Sequence, residues 1–120
     1  MSNSYTIGAS DRRPWGGWTV LDSGPGFAVK RILVAPGGVL SLQRHRHRAE
    51  VWTIVGGVAE VTLGEMVFAA GAGESIRVAP LEIHRIANHG AQDVVFIEVQ
   101  TGAILDEADI ERLSDDYGRV

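Results

Sequence analysis

Cysteine is absent from the 120 residues, which excludes a disulfide framework and a thiolate metal site. A reducing compartment suits such a chain. Proline occurs only four times and glycine 15 times, while the apolar fraction of 45% is that of an ordinary globular protein, so collagen-like and disordered readings fail. No apolar run approaches the ~18 residues that a membrane span needs, and the N-terminus carries no basic-then-apolar leader pattern. A soluble, cytoplasmic protein without a membrane partner is therefore expected. Basic residues are not in excess either: 11 Lys and Arg stand against 15 Asp and Glu, a formal charge of −4, which argues against nucleic-acid binding. The length is that of one domain with a single core.

What is present is concentrated between Gly37 and Gly57, GGVLSLQRHRHRAEVWTIVGG. Gln43, His45 and His47 recur at every second position, and an extended strand turns such residues to one face. Glu50 follows within a short turn. An amide, imidazoles and a carboxylate so close together form an N/O ligand set suited to one divalent ion: Zn²⁺, or Mn²⁺, Fe²⁺, Co²⁺ or Ni²⁺. A fourth ligand must come from elsewhere in the chain, and His84 is the natural candidate. The metal-ligand set is thus Gln43, His45, Glu50 and His84. The competing reading of His45 and His84 is that of barrel histidines satisfied by hydrogen bonds.

Along the chain, residues 1–13 are polar and aperiodic and read as a mobile tail, with residues 14–120 as the single domain. Short segments rich in β-branched and aromatic residues follow, including Phe27 to Val34, Val39 to His45, Glu50 to Val55, Ile83 to Ala87 and Val94 to Gln100. Glycine turns separate them, so the pattern predicts an all-β sandwich or barrel. From Leu105 to Leu113 the acidic run with interspersed apolar residues predicts a short C-terminal helix with acids near its positive end.

The spacing of these residues resembles the two motifs of the cupin superfamily. Gly37, Gln43, His45, Glu50 and Gly57 match the first motif, with Gln43 where most cupins have histidine. Gly73, Ala79, Leu81, His84 and Asn88 match the second, with Ala79 and Leu81 at places usually held by proline and glycine. Further blocks, PWGGWTVLDSG from Pro14, VKRI from Val29, HRAE from His47, IEVQTG from Ile97 and DDYGR from Asp115, resemble the C-terminal domain of type II mannose-6-phosphate isomerases. In that family the domain usually follows a mannose-1-phosphate guanylyltransferase domain. No nucleotide-binding glycine loop occurs in these 120 residues, so nucleotide transfer is not expected of them.

The resemblance implies a double-stranded β-helix, the cupin jelly-roll barrel, holding one divalent metal and paired as a homodimer through an edge strand. It implies interconversion of mannose 6-phosphate and fructose 6-phosphate, or of a related phosphosugar. Arg48, in the HRAE block, would contact phosphate or the developing enediolate; its plain reading is a solvated surface arginine. Lys30 and Arg31 lie in the VKRI block, and parity alone leaves open which of them faces the barrel mouth. His47 and Glu98 are candidates for the proton carrier, and Gln100 shares the face of Glu98. Where the family continues the first motif with histidine this chain has Val51, and where it commonly has tyrosine it has Ile104. Two other functions stay open: a metal-containing cupin that binds a sugar or small anion without turnover, and an Fe²⁺ oxygenase built on His45, His84 and Glu50.

Overall fold

The computed structural model describes Ser2 through Arg119; Met1 and Val120, the outer ends of the expected tail and domain, lie outside the described residues. The chain forms β1 (Ser2–Asn3), β2 (Ser10–Arg13), β3 (Gly16–Gly24), β4 (Phe27–Val34), β5 (Leu42–Arg44), β6 (Arg48–Gly56) and β7 (Ala59–Leu63). It continues through β8 (Met66–Ala70), β9 (Ser75–Val78), β10 (His84–Ala87), β11 (Val94–Gly102), β12 (Ile104–Leu105) and β13 (Glu111–Ser114). One sheet has the order β2-β3-β4-β11-β6-β9 and the other β13-β5-β10-β7-β8; β1 and β12 pair in parallel beside them. Among the described residues no helix is long and apolar enough to cross a membrane.

Period-two alternation explains the inner faces. Ala28, Lys30, Ile32 and Val34 on β4, Arg48, Glu50, Trp52 and Ile54 on β6, and Val94, Phe96, Glu98 and Gln100 on β11 are all buried. The register stacks them into rows, because residues directly opposite in an antiparallel pair share a face. Ile32, Phe96 and Ile54 form one row; Lys30, Glu98 and Trp52 the next; Ala28, Gln100 and Glu50 the third. On β6 and β11 the inner face thus runs from an apolar end to a polar end, and on β4 Lys30 joins the polar side. The apolar ends join Trp15, Val61, Ala70 and Ile86 in the core, and the polar ends line a cavity.

Two expectations are corrected here. Residues 2–13 are not a loose tail: β1 pairs with β12, β2 pairs with β3, and Tyr5 is buried with Val20, Ala28 and Leu105. The Asn3 amide secures the start by donating to Ser23 Oγ at 2.8 Å and to the carbonyls of Gly24 and Phe27. Nor do residues 105–113 form the expected helix. After β12 an irregular strap over residues 106–110 crosses the cavity mouth, and β13 adds to β5. So short a helix has little stability of its own, and distant partners outbid it. Glu107 pairs with Lys30, and the Asp109 carboxylate accepts from the Arg46 and His47 N–H groups at 2.9 Å each.

Candidate metal centre

β5, β6 and β10 deliver the candidate ligands. Gln43 lies directly opposite His84 across the β5–β10 pair, so both face the cavity. His45 follows just beyond β5, and Glu50 sits on the inner row of β6. Ligand atoms of His45, Glu50 and His84 all lie within 4.8 Å of one another, and all three side chains are buried. His45 Nδ1 is 2.6 Å from the Asp109 carbonyl and His84 Nδ1 is 2.8 Å from the Glu82 carbonyl. Each Nδ1–H therefore donates to backbone, which presents both Nε2 lone pairs inward. His84 Nε2 is buried without a hydrogen-bond partner. An orphaned nitrogen, a second imidazole and a carboxylate, with the Gln43 amide beside them, fit a divalent ion such as Zn²⁺ or Fe²⁺.

Charges around this triad are paired tightly. Arg48 is buried; its Nε donates to Glu50 Oε2 at 2.8 Å, and its terminal nitrogens reach His45 Nε2, Tyr5 Oη and the Asp106 carbonyl at 3.2–3.3 Å. Trp52 Nε1 donates to Glu50 Oε1 at 2.9 Å and Glu98 Oε1 at 3.1 Å, and Gln100 Nε2 donates to Glu98 Oε2 at 2.7 Å. Burial alone would raise the Glu50 carboxyl, but Arg48, with His45 and His84, outweighs it and holds Glu50 well below the usual range. Burial, reinforced by the Glu50 carboxylate, pushes Glu98 the other way, up to about 8. Burial also pushes His45 down to about 4, against the pull of Glu50. The result is a neutral imidazole and an ionised Glu50, the forms that ligate a metal, beside a carboxyl that carries its proton near neutral pH.

The expected site residues divide cleanly. Gln43, His45, Glu50, His84, Arg48, Lys30 and Glu98 line one cavity. Gln100 is fully buried behind it and bonds Glu98. Arg31 points outward and is exposed, so Lys30 is the cation of its pair that faces the cavity. His47 is exposed and lies instead in an open groove with Arg44, Arg46 and Ile104. Alternation fails there because the strand ends at Arg44 and the Asp109 carboxylate holds Arg46 and His47 in a bend. Val51 and Ile104, where the chain departs from the family pattern, are each 40% exposed and lie outside the cavity.

The second departure is resolved locally. Leu81 has φ +67°, the left-handed conformation that glycine takes without a side-chain penalty, and its N–H donates to the His45 carbonyl at 2.7 Å. The turn that positions His84 is thus kept despite the leucine.

Residues that sequence reasoning missed are Tyr5, Trp52 as a carboxylate donor, Glu107, Asp109 and Arg112. Trp52 shares its parity with Glu50, a signal that was present; Tyr5 lay in an unpatterned stretch and the others in an acidic run that read as helix.

Residues 2–115 match the family described as mannose-6-phosphate isomerase C-terminal. The alginate biosynthesis protein AlgA of Pseudomonas syringae pv. tomato is 49% identical over 107 residues, which cover 89% of this chain and 22% of that protein. A mannose-1-phosphate guanylyltransferase of Escherichia coli K12 is 44% identical over 108 residues, 90% of this chain and 23% of that one. The chain therefore spans less than a quarter of the length of these relatives. Among solved structures, a Klebsiella pneumoniae protein with a double-stranded β-helix domain superposes with TM-score 0.70 at 21% identity, covering 95% of this chain and 91% of that one. Fold, motifs and matched residues together place the chain, as an all-β cupin, in the mannose-6-phosphate isomerase C-terminal family.

Proposed function

We propose that this domain is a metal-dependent aldose–ketose isomerase acting on mannose 6-phosphate and fructose 6-phosphate or a related phosphosugar. The observation that carries the proposal is the meeting, in one cavity, of a His45–Glu50–His84 triad with the cations Lys30 and Arg48 and the raised carboxyl of Glu98. A divalent ion held by the triad and Gln43 would supply Lewis-acid polarisation of the sugar carbonyl. Glu98, in its ionised form, accepts the proton from C2 of the aldose and returns it to C1, while a hydroxyl proton passes from O2 to O1. Arg48 and Lys30 stabilise the negative charge that develops between those steps. Gln100 and Trp52 hold Glu98 at both carboxyl oxygens. A positioned base of this kind is worth ~10²–10⁴ in rate.

Buried cations in the cavity favour an anionic substrate over the O₂ chemistry that the same triad suits. An edge-strand homodimer belongs to the same proposal, with β8, at the margin of its sheet, as the edge; light scattering in solution tests it. For the activity, zinc-reconstituted protein is incubated with mannose 6-phosphate in D₂O and followed by proton NMR. Fructose 6-phosphate with deuterium at C1, lost on EDTA treatment and in Glu98→Gln, is the expected result. Bound sugar phosphate with neither product nor deuterium uptake would leave a binding cupin instead.

A further inference from the structure

Arg112, a half-buried residue, stands outside the ion pairs that occupy the buried cations of the cavity. Lys30 is engaged by Glu107 and Arg48 by Glu50. Arg112 lines the same cavity, yet its Nε is buried without a hydrogen-bond partner, and among the described residues no carboxylate lies within ion-pair range of its guanidinium. A buried donor without a partner is unfavourable, so Arg112 keeps unfilled donor capacity at its Nε. Two of the three buried orphan atoms of the described residues, His84 Nε2 and Arg112 Nε, thus belong to residues lining one cavity.

The sheet register fixes how the two are related. Arg112 on β13 lies opposite Gln43 on β5, and Gln43 lies opposite His84 on β10. All three side chains share the cavity face. Two strand spacings, ~4.8 Å each, separate the Arg112 and His84 backbones, about 10 Å in all. A hexose 6-phosphate carries its reacting C1 and C2 at one end and its phosphate at the other, so it needs two recognition points set apart in this way. Arg13 and Arg119 also line the cavity and add positive charge on the Arg112 side. Asp11, 3.4 Å from Arg13, and Asp115, which holds Arg119 at 2.7 and 3.0 Å, moderate that charge without touching Arg112.

We infer that Arg112, with Arg13 and Arg119 beside it, binds the phosphate of the sugar whose C1/C2 end lies at His45, Glu50 and His84. Planar guanidinium suits phosphate because two parallel N–H bonds meet two oxygens. The assignment rests on the phosphosugar reading above and divides its labour: Arg48 serves the reacting end and Arg112 the distal end.

The test is calorimetric titration of mannose 6-phosphate, and separately of unphosphorylated mannose, into zinc-loaded wild type, Arg112→Gln and Arg112→Lys. Bound zinc and the melting transition report folding. Mannose 6-phosphate is expected to bind wild type at least tenfold more tightly than mannose, Arg112→Gln to abolish that preference with zinc content unchanged, and Arg112→Lys to restore part of it. If Arg112→Gln does not fold, the Lys variant decides, since it keeps the charge and loses the fork; a loss of several-fold is expected. Equal affinity in wild type and variants, or a wild type that prefers mannose 6-phosphate no more than mannose, would overturn the assignment. Failure of the isomerase reading is seen separately: selective binding through Arg112 without product leaves the phosphate site standing, whereas product formed with an unchanged KM in Arg112→Gln removes the site and keeps the isomerase.

Discussion

Lys30 and Glu107, 77 residues apart, form an ion pair that fastens the strap over residues 106–110 across the mouth of the barrel. The ammonium is buried and also stacks 4.3 Å from the ring centroids of Tyr5 and Trp18, whereas the carboxylate is 36% exposed. The carboxylate therefore occupies a place where an anionic ligand would meet Lys30. The cavity beneath the strap has a volume of about 60 Å³.

Glu107→Gln is accordingly expected to act in two directions. Leaving Lys30 buried and unpaired should destabilise the fold by about 1–3 kcal/mol, while affinity for mannose 6-phosphate should rise because the internal competitor is gone. Urea unfolding and calorimetric titration read the two effects. A variant with unchanged stability and weaker binding would refute both.

Removal of the ligand set has a graded signature. His45→Ala, His84→Ala and Glu50→Ala should each abolish stoichiometric zinc, measured by elemental analysis after dialysis, and Gln43→Ala should weaken it. A ligand present at 100 times its dissociation constant stabilises by about 2.7 kcal/mol, so EDTA should lower the melting temperature of wild type and leave the three alanine variants where they are. Zinc retained in all three would end the metal reading.

The pH dependence of stability in metal-free protein follows from two buried groups. His45 has a folded pKa of about 4, below its ordinary 6.5, so its contribution is present above 6.5 and is lost as pH falls toward 4. Glu98 has a folded pKa of about 8, above its ordinary 4.5; its contribution is complete below 4.5 and is lost as pH rises through 8. Between 4.5 and 6.5 the slopes oppose each other, and from 6.5 to 8 that of Glu98 stands alone. Metal-free wild type should therefore lose stability from pH 6.5 to 8, and Glu98→Gln should flatten that limb. Parallel melting curves for the two proteins across this range would disprove the assignment.

Leu81 provides a backbone test. A non-glycine residue in the left-handed region carries strain of about 1 kcal/mol, so Leu81→Gly should leave stability unchanged or raise it. The same substitution at Leu33, on β4 and with an exposure of 38%, should lower stability by about 1 kcal/mol. Chemical denaturation of the two variants decides; an equal loss at both sites would exclude stored strain at Leu81.

The meeting of Gln43, His45, Glu50 and His84 in one place was legible in the sequence because strands impose a period of two and glycine turns bound them. Glu50 and Trp52 on β6, and Glu98 and Gln100 on β11, face inward as alternation demands. That rule is local, so it failed where a distant residue intervened. His47 left the expected face because Asp109, 62 residues away, captures its N–H. The same long-range contacts turned an expected helix into a strap and β13, and an expected tail into β1, β2 and the buried Tyr5.

The sequence by itself determined the all-β pattern, the donors of the triad and the choice of N and O over sulfur chemistry, since these depend on residue type and near spacing. Only the tertiary structure decided that Lys30 rather than Arg31 faces the cavity, that Arg48 is buried against Glu50, and that Arg112 shares a face with Gln43 and His84. Those choices depend on strand register and on which charges meet across the barrel, and register is set by packing between segments far apart in the chain.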